Sequence, residues 1–333
     1  MLFKKTIYWE VNLLFTISHY FGLAPFHYNF KPSPFYILIS ISFLIITFSD
    51  FIFMIIYMET INDTYVLSKF SLILERSQLI IIVTSVIISI IKPLYNIRTF
   101  NFIAKTLDNC DNNLKEVGIF ISHNRIYSIV LISIKLFSVS VIFICDIILF
   151  NTTRNISAFA MEYICTMPLY FNNIVEAQFM VLLNSVQKRF NILTENIILN
   201  KNRNYLQKIK QMNVFTKVYN NLIDVCEKIN TLYSLQILLI ISSIFIITTA
   251  NLYHVIEKVI KYLTEKKYND YNLLIMLTYR ILLRSTEVWA LITSCVNTQE
   301  KSPKDFLHLL FIILDKVMFG INMFRAISDF IFL

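Results

Sequence analysis

Long stretches without charged residues dominate the hydrophobic pattern of this chain, and the clearest of them runs from Leu232 to Ile256. At a helical rise of about 1.5 Å per residue this stretch reaches roughly 37 Å, enough to cross a bilayer with some tilt. Immediately before it, apolar residues recur at helical spacing with charged residues between them. They are Val218, Leu222, Val225, Ile229 and Leu232. The pattern predicts one long helix, amphipathic first and fully apolar afterwards.

Other apolar stretches of similar length predict a polytopic membrane protein rather than a soluble domain. The predicted spans are about 35–58, 67–91, 126–150, 158–183, 232–256 and 271–296. Residues 11–26 fit either an interfacial helix or a cytosolic packing helix, and residues 92–125 form a polar connection. The predicted fold is therefore all-α: a polytopic membrane helical bundle with six full spans and cytosolic helical segments at 184–231 and 303–319.

The composition supports this class and excludes several others. The chain is 56% hydrophobic and 16% charged, which is unusual for a soluble domain. Its net charge of +8 would suggest nucleic acid in a soluble protein, but here it fits Lys and Arg in cytoplasmic loops, so no nucleic-acid partner is expected. The cysteines are scattered and typical of small buried hydrophobes: Cys110, Cys145, Cys165, Cys226 and Cys295. Without HExxH or CxxC spacing, we expect no metal, cofactor or enzymatic activity.

Two independent signals place the N-terminus in the cytoplasm. Lys and Arg are concentrated in the N-terminal segment and in the second, fourth and sixth loops, as the positive-inside rule requires. The N-glycosylation sequons, at Asn62, Asn151 and Asn155, all fall in loops that this rule assigns to the outside. We therefore expect a glycoprotein with an inverted, cytoplasmic N-terminus.

Three segments carry a resemblance to a known family. The long helix contains an "IN…YS…L" pattern and a later Tyr, at Ile229, Asn230, Tyr233, Ser234, Leu238 and Tyr253. The segment before it adds Gln178, Phe179, Arg189, Phe190 and Leu193. The third segment is the string FGLAPF at Phe21–Phe26. Together they resemble the insect gustatory receptor family of seven-transmembrane chemoreceptors with inverted topology.

The resemblance implies a taste receptor for small-molecule tastants, functioning in sensory transduction as a subunit of a ligand-gated cation channel. It implies a multi-pass protein of the plasma membrane of chemosensory neurons, in contact with membrane lipid. Family members assemble as tetramers, so homo- or hetero-tetramers with other gustatory receptor subunits are expected. In the family, the inner ends of helices four to six and the first half of helix seven form a cytosolic anchor, and the second half of helix seven lines the pore.

The end of the chain departs from the family pattern. The closing Thr-Tyr pair followed by Gln-Phe is absent, and the residues after Gly320 are too few to cross a bilayer. We expect a truncated seventh span that lacks the pore helix. Such a chain would fold as a receptor-like bundle but would not conduct ions alone. Residues 303–319 carry an apolar stripe that is expected to pack on the helix at 219–232.

Polar residues inside the spans are the candidates for ligand binding, because such groups face the interior of a bundle. The predicted cavity near the outer face is walled by Glu162, Tyr163, Met167, Tyr170, Thr249, Tyr253, Tyr279 and Arg280. The structural alternative is pairing between helices, such as Asp146 or Glu162 with Arg280.

Other classes of membrane protein fit less well. A G-protein-coupled receptor needs an external N-terminus, and no Asp-Arg-Tyr follows the third span. A secondary transporter favours internal repeats and helices broken by Gly or Pro, whereas this chain has only 3 Gly and no visible repeat. A membrane enzyme would need clustered His, Cys or carboxylate groups, and none are clustered in the sequence.

Overall fold

The structure is a computed structural model in which residues 7–26, 31–62, 69–122, 125–151, 156–199, 205–265 and 271–299 are described. Its helices are α1 (Ile7–Tyr20), α2 (Pro34–Asn62), α3 (Lys69–Tyr95), α4 (Ile97–Glu116), α5 (Ile126–Asn151), α6 (Ile156–Leu199), α7 (Tyr205–Glu265) and α8 (Tyr271–Gln299). No strand occurs within these segments, which contain only an isolated bridge between Phe26 and Pro32. The prediction of an all-α membrane bundle is confirmed.

Four helices of the described segments are long and apolar enough to cross a membrane. The qualifying stretches are Pro34–Phe53 in α2, Arg76–Tyr95 in α3, Ile126–Ile144 in α5 and Ile209–Tyr253 in α7. The predicted spans at 158–183 and 271–296 are also helical, as parts of α6 and α8. Both contain charged side chains, which lower their apolar character, and their placement in the membrane stays a prediction.

The surface of α2 is consistent with contact to lipid. Large apolar side chains on this helix are more than half exposed: Phe35, Leu38, Ile45, Ile46, Phe48 and Ile56. In water such a face would be an unusually large apolar patch. In the hydrocarbon region the same face contacts lipid chains at no cost. The helix can lie there because it satisfies its own backbone hydrogen bonds.

The helices α6 and α7 are much longer than a bilayer requires. They contain 44 and 61 residues, which correspond to roughly 66 Å and 92 Å against a hydrocarbon core of about 30 Å. Both must therefore extend well outside the membrane. The predicted continuity of α7 is confirmed, and so is its buried stripe: Val218, Leu222, Val225, Ile229 and Leu232 are all at most 2% exposed.

Helix α4 lies within the segment that the sequence indicated only as a polar connection. It follows α3 directly, after Pro93 and a short break at Asn96. One face of α4 is apolar and buried, and comprises Phe100, Ile103, Ala104, Leu107, Cys110 and Leu114. This face packs on the extramembrane half of α7, where the Cys110 thiol lies 3.9 Å from the Val218 carbonyl oxygen. The connection is thus part of the core.

Helix α1 packs at one end of the bundle, with Val11, Leu14 and Phe15 buried. Of the two alternatives for residues 11–26, this burial favours the packing helix. The Ser128 hydroxyl, near the start of α5, donates to the Glu10 carbonyl oxygen at 2.7 Å. Asn151 ends α5, roughly 35 Å away at a helical rise of about 1.5 Å per residue. Helix α1 and Asn151 therefore lie near opposite ends of α5, and the side of the membrane on which each end lies stays a prediction.

The connection between α1 and α2 depends on Gly22. Its φ of 68° is in the left-handed region that disfavours side chains. A Cβ atom at this position would lie 2.8 Å from the Ser40 Cα atom. The Ser40 hydroxyl also donates to the Gly22 carbonyl oxygen at 2.7 Å. The close approach of the two segments thus explains the glycine of the FGLAPF string.

The buried stripe of α7 can be tested by truncating one side chain. Leu222 is 0% exposed, so Leu222→Ala should leave a cavity and reduce the free energy of unfolding by about 2–5 kcal/mol. The matched control is Met212→Ala on the same helix, because Met212 is 51% exposed. Thermal unfolding of the purified protein in detergent measures both. Equal melting temperatures for the two variants would contradict the packing described for α7.

Candidate functional site

The extramembrane end of the bundle is built around a fully buried arginine. The Arg189 side chain is 0% exposed, and its Nε and Nη2 atoms donate to the two Asp111 carboxylate oxygens, both at 2.7 Å. A third bond runs from Nη1 to the Ser185 carbonyl oxygen at 2.6 Å. Burial alone would lower the pKa of Arg189, but the Asp111 carboxylate raises it, so the guanidinium stays charged. This pair joins α6 to α4.

A second buried acid, Glu10, joins α1 to the same part of α6. Its carboxylate accepts from the Ser185 hydroxyl at 3.3 Å and from the Lys188 ammonium at 3.4 Å. Lys188 also donates to the Ser122 carbonyl oxygen. Lys188 and Arg189 are therefore structural contacts between helices rather than free surface charges. They connect the N-terminal helix, α4 and the segment before α5.

A chain of hydrogen bonds links α7, α6 and α1. The Tyr233 hydroxyl donates to the Gln178 Oε1 atom at 3.1 Å, and Gln178 Nε2 donates to the Ser18 hydroxyl at 2.7 Å. Ser18 in turn donates to the Leu14 carbonyl oxygen at 2.7 Å. All the side chains in this chain of bonds are buried. Tyr233 also packs edge-on against Phe100 of α4, with ring centroids 6.3 Å apart.

The cysteines of the described segments behave as buried hydrophobes. Cys110, Cys226 and Cys295 are free and buried, as the sequence predicted. Burial raises the pKa of the Cys110 thiol to about 12, so almost no thiolate forms near neutral pH. The side chains of Cys145 and Cys165 lie outside the described part of the chain.

Charged side chains also pair inside the predicted membrane region. Lys135 of α5 donates to the Glu176 carboxylate of α6, and the two side chains are 7% and 1% exposed. On α8, Arg284 Nη1 donates to Glu287 Oε2 at 2.5 Å, and these side chains are 5% and 6% exposed. Isolated charges would be costly in hydrocarbon, and pairing reduces that cost.

Arg284 and Glu287 are charged positions within the predicted span at 271–296, whereas the Lys135–Glu176 pair was not predicted. The two residues are separated by 41 positions, so periodicity along one helix cannot relate them. One signal was available: Lys135 lies within the apolar stretch Ile126–Ile144. A lone lysine in such a stretch requires a partner inside the bundle.

Of the predicted ligand residues, Tyr170 makes a polar side-chain contact with another helix. Its half-buried hydroxyl lies 3.1 Å from the Ser140 hydroxyl of α5. Met167 and Arg280 are half-buried, and Tyr279 is 38% exposed. The two remaining members on α7 are also half-buried: Thr249, which donates to the Phe245 carbonyl oxygen at 2.9 Å, and Tyr253.

The other predicted positions lie at helix ends or outside the described residues. The side chains of Asp146, Glu162 and Tyr163 lie outside the described residues, so the outer cavity and the proposed pairing with Arg280 stay predictions. Asn62 and Asn151 are the last residues of α2 and α5. Asn155 and the segment 303–319 lie outside the described part of the chain.

Four helices of the described segments are long and apolar enough to cross a membrane, which indicates a polytopic helical membrane protein. A family model described as the 7tm chemosensory receptor matches residues 11–330. The chain therefore belongs to the 7tm chemosensory receptor family. This is not a family of enzymes, and its description agrees with the resemblance to insect gustatory receptors. A search of curated proteins found no match.

The Arg189–Asp111 pair can be tested with an isosteric change. Asp111→Asn removes the charge that compensates a fully buried guanidinium, and should reduce the free energy of unfolding by about 3–5 kcal/mol. Asp224→Asn is the matched control, since Asp224 lies exposed on α7. Thermal unfolding in detergent at neutral pH compares them. An Asp111→Asn variant as stable as the control would show that Arg189 does not need this partner.

Proposed function

We propose that this chain is a chemosensory receptor subunit of a ligand-gated cation channel that detects small-molecule tastants. The observation that carries the proposal is the match to the 7tm chemosensory receptor family over residues 11–330. The plasma membrane of chemosensory neurons is the proposed location, and a homo- or hetero-tetramer with other gustatory receptor subunits is the proposed assembly.

The shape of the helices supports a receptor with an extramembrane anchor. The C-terminal part of α6 and the N-terminal part of α7 extend beyond the bilayer. The C-terminal part of α6 is joined to α1 and α4 by polar contacts. A rigid body of this kind is suited to hold membrane helices in register and to transmit their movement. The proposed ligand cavity lies at the opposite, outer end.

For the ligand site, we take the outer halves of α5 to α8 as the cavity wall. Tyr170 supports this, because its half-buried hydroxyl lies beside the Ser140 hydroxyl between two helices. A small molecule with hydroxyl or carbonyl groups could replace this mutual contact, with aromatic rings supplying apolar contact. Glu162, Tyr163 and Arg280 would provide charged and polar contacts at the outer rim.

The receptor proposal is tested by expressing the chain with a full-length subunit of the same family and recording ion flux against a tastant panel. Tyr163→Ala, Tyr170→Phe and Arg280→Ala should each shift the half-maximal ligand concentration by about tenfold, the effect of losing one good contact, while surface expression is preserved. Arg98→Ala is the control, because Arg98 is exposed on α4. Unchanged responses in all three variants would reject the proposed cavity.

Orientation is tested by glycosylation mapping. In cells, Asn62→Gln and Asn151→Gln should each remove one glycan, seen as a mobility shift that a glycosidase abolishes in the unchanged protein. Lys115→Thr gives the half-buried Asn113 of α4 a sequon, and that site should stay unmodified if α4 is cytoplasmic. A glycan on Asn113 would reverse the topology and favour the arrangement of a G-protein-coupled receptor.

A further inference from the structure

Four buried charges meet where α5, α6 and α8 pack together. These three helices contact one another pairwise. They contribute Lys135, Glu176, Arg284 and Glu287, whose side chains are between 1% and 7% exposed. Two are cationic and two anionic, so the group is neutral as a whole.

The cluster lies deep in the predicted membrane region. Lys135 is about 14 Å along α5 from Ile126, at a rise of about 1.5 Å per residue, and so near the middle of a ~30 Å hydrocarbon core. At this depth a charge without a partner is strongly disfavoured. Any rearrangement of the three helices must therefore keep every charge paired.

The pairs observed are arranged unequally between the helices. The Lys135–Glu176 pair joins α5 to α6. The Arg284–Glu287 pair lies within α8, so α8 meets the other two helices without an ion pair from this cluster. Nevertheless, Glu176 interacts electrostatically with Arg284 and Glu287 as well as with Lys135. Glu176 is thus within range of a cation on each neighbouring helix.

A second pairing of the same charges is available. If Glu176 turned to Arg284, then Glu287 would lose its present partner and Lys135 would be left to pair with it. Glu287 can accept such a bond, since its buried Oε1 atom has no hydrogen-bond partner among the described residues. Both arrangements contain two pairs and no net charge, and the second would connect α8 directly to α5 and α6.

We propose that these four residues form a partner-exchange switch, in which Glu176 pairs with Lys135 in one arrangement and with Arg284 in the other. The exchange lets α8 move relative to α5 and α6 without exposing an unpaired charge to lipid. Discrete alternative packings of this kind are what allow a bundle to change state as a unit. The switch goes beyond the proposed function, because it requires neither a tastant nor ion conduction.

The exchange predicts a specific pattern of non-additivity in thermal unfolding of the whole purified chain. Lys135→Met alone leaves one acid in excess, and Glu287→Gln alone leaves one cation in excess, so each single change should lower Tm by a few degrees. In the double variant the exchange pairs Glu176 with Arg284, and no charge is left over. The fall in its Tm should therefore be clearly smaller than the sum of the single shifts. A fall equal to that sum would overturn the proposal, because Glu176 and Arg284 would then both be without a partner.

A matched control separates the cluster from a general intolerance of lost lysines. Lys188 pairs with Glu10 outside the cluster, so Lys188→Met combined with Glu287→Gln should give additive shifts. Non-additivity of the same size in this control would overturn the assignment, because the coupling would then not belong to the four charges.

One further comparison decides the question if the double variant fails to fold. Glu176→Gln combined with Arg284→Met leaves Lys135 and Glu287, which pair only in the second arrangement. The exchange predicts that the fall in Tm of this double variant is again smaller than the sum of the two single shifts. A fall equal to the sum would show that Lys135 and Glu287 do not pair, and would overturn the switch.

Discussion

The rest of the structure depends on the need to pair charges that are buried away from water. Arg189 illustrates this most directly: it is 0% exposed, and both its Asp111 bonds are 2.7 Å long. A guanidinium in this position is tolerable only when a carboxylate and a carbonyl group satisfy it. That requirement fixes α4 against α6, and the nearby Glu10 fixes α1. Packing alone would not determine such a specific arrangement.

The same constraint produces two kinds of polar contact in the bundle. Where α1 packs on α6, polar contacts form a connected chain from Tyr233 to Gln178 to Ser18. Where α5, α6 and α8 meet, the buried charges occur as close pairs. The outer surface is correspondingly apolar, as on α2. The bundle thus keeps polarity inside and apolar surface outside where it faces lipid.

Sequence reasoning recovered the features that depend on local pattern. The all-α bundle, the continuity of α7 and its buried stripe follow from hydrophobic periodicity, and structure confirms them. Features that depend on distant partners were not recoverable in this way. Helix α4 was hidden because its exposed face is strongly polar, and the Glu176 partner of Lys135 lies on another helix. The outer cavity remains a prediction, because the side chains of Glu162 and Tyr163 lie outside the described residues.

Several residues that carry the family resemblance have structural roles in the bundle. Gln178, Arg189 and Tyr233 are buried and hydrogen-bonded to other helices, and Gly22 has a backbone conformation that disfavours side chains. Each of them holds neighbouring helices together. Substitution there would affect every function that the fold supports, whereas residues lining an outer cavity can change with the ligand. A match built on such positions therefore identifies the scaffold strongly and carries no information about the tastant.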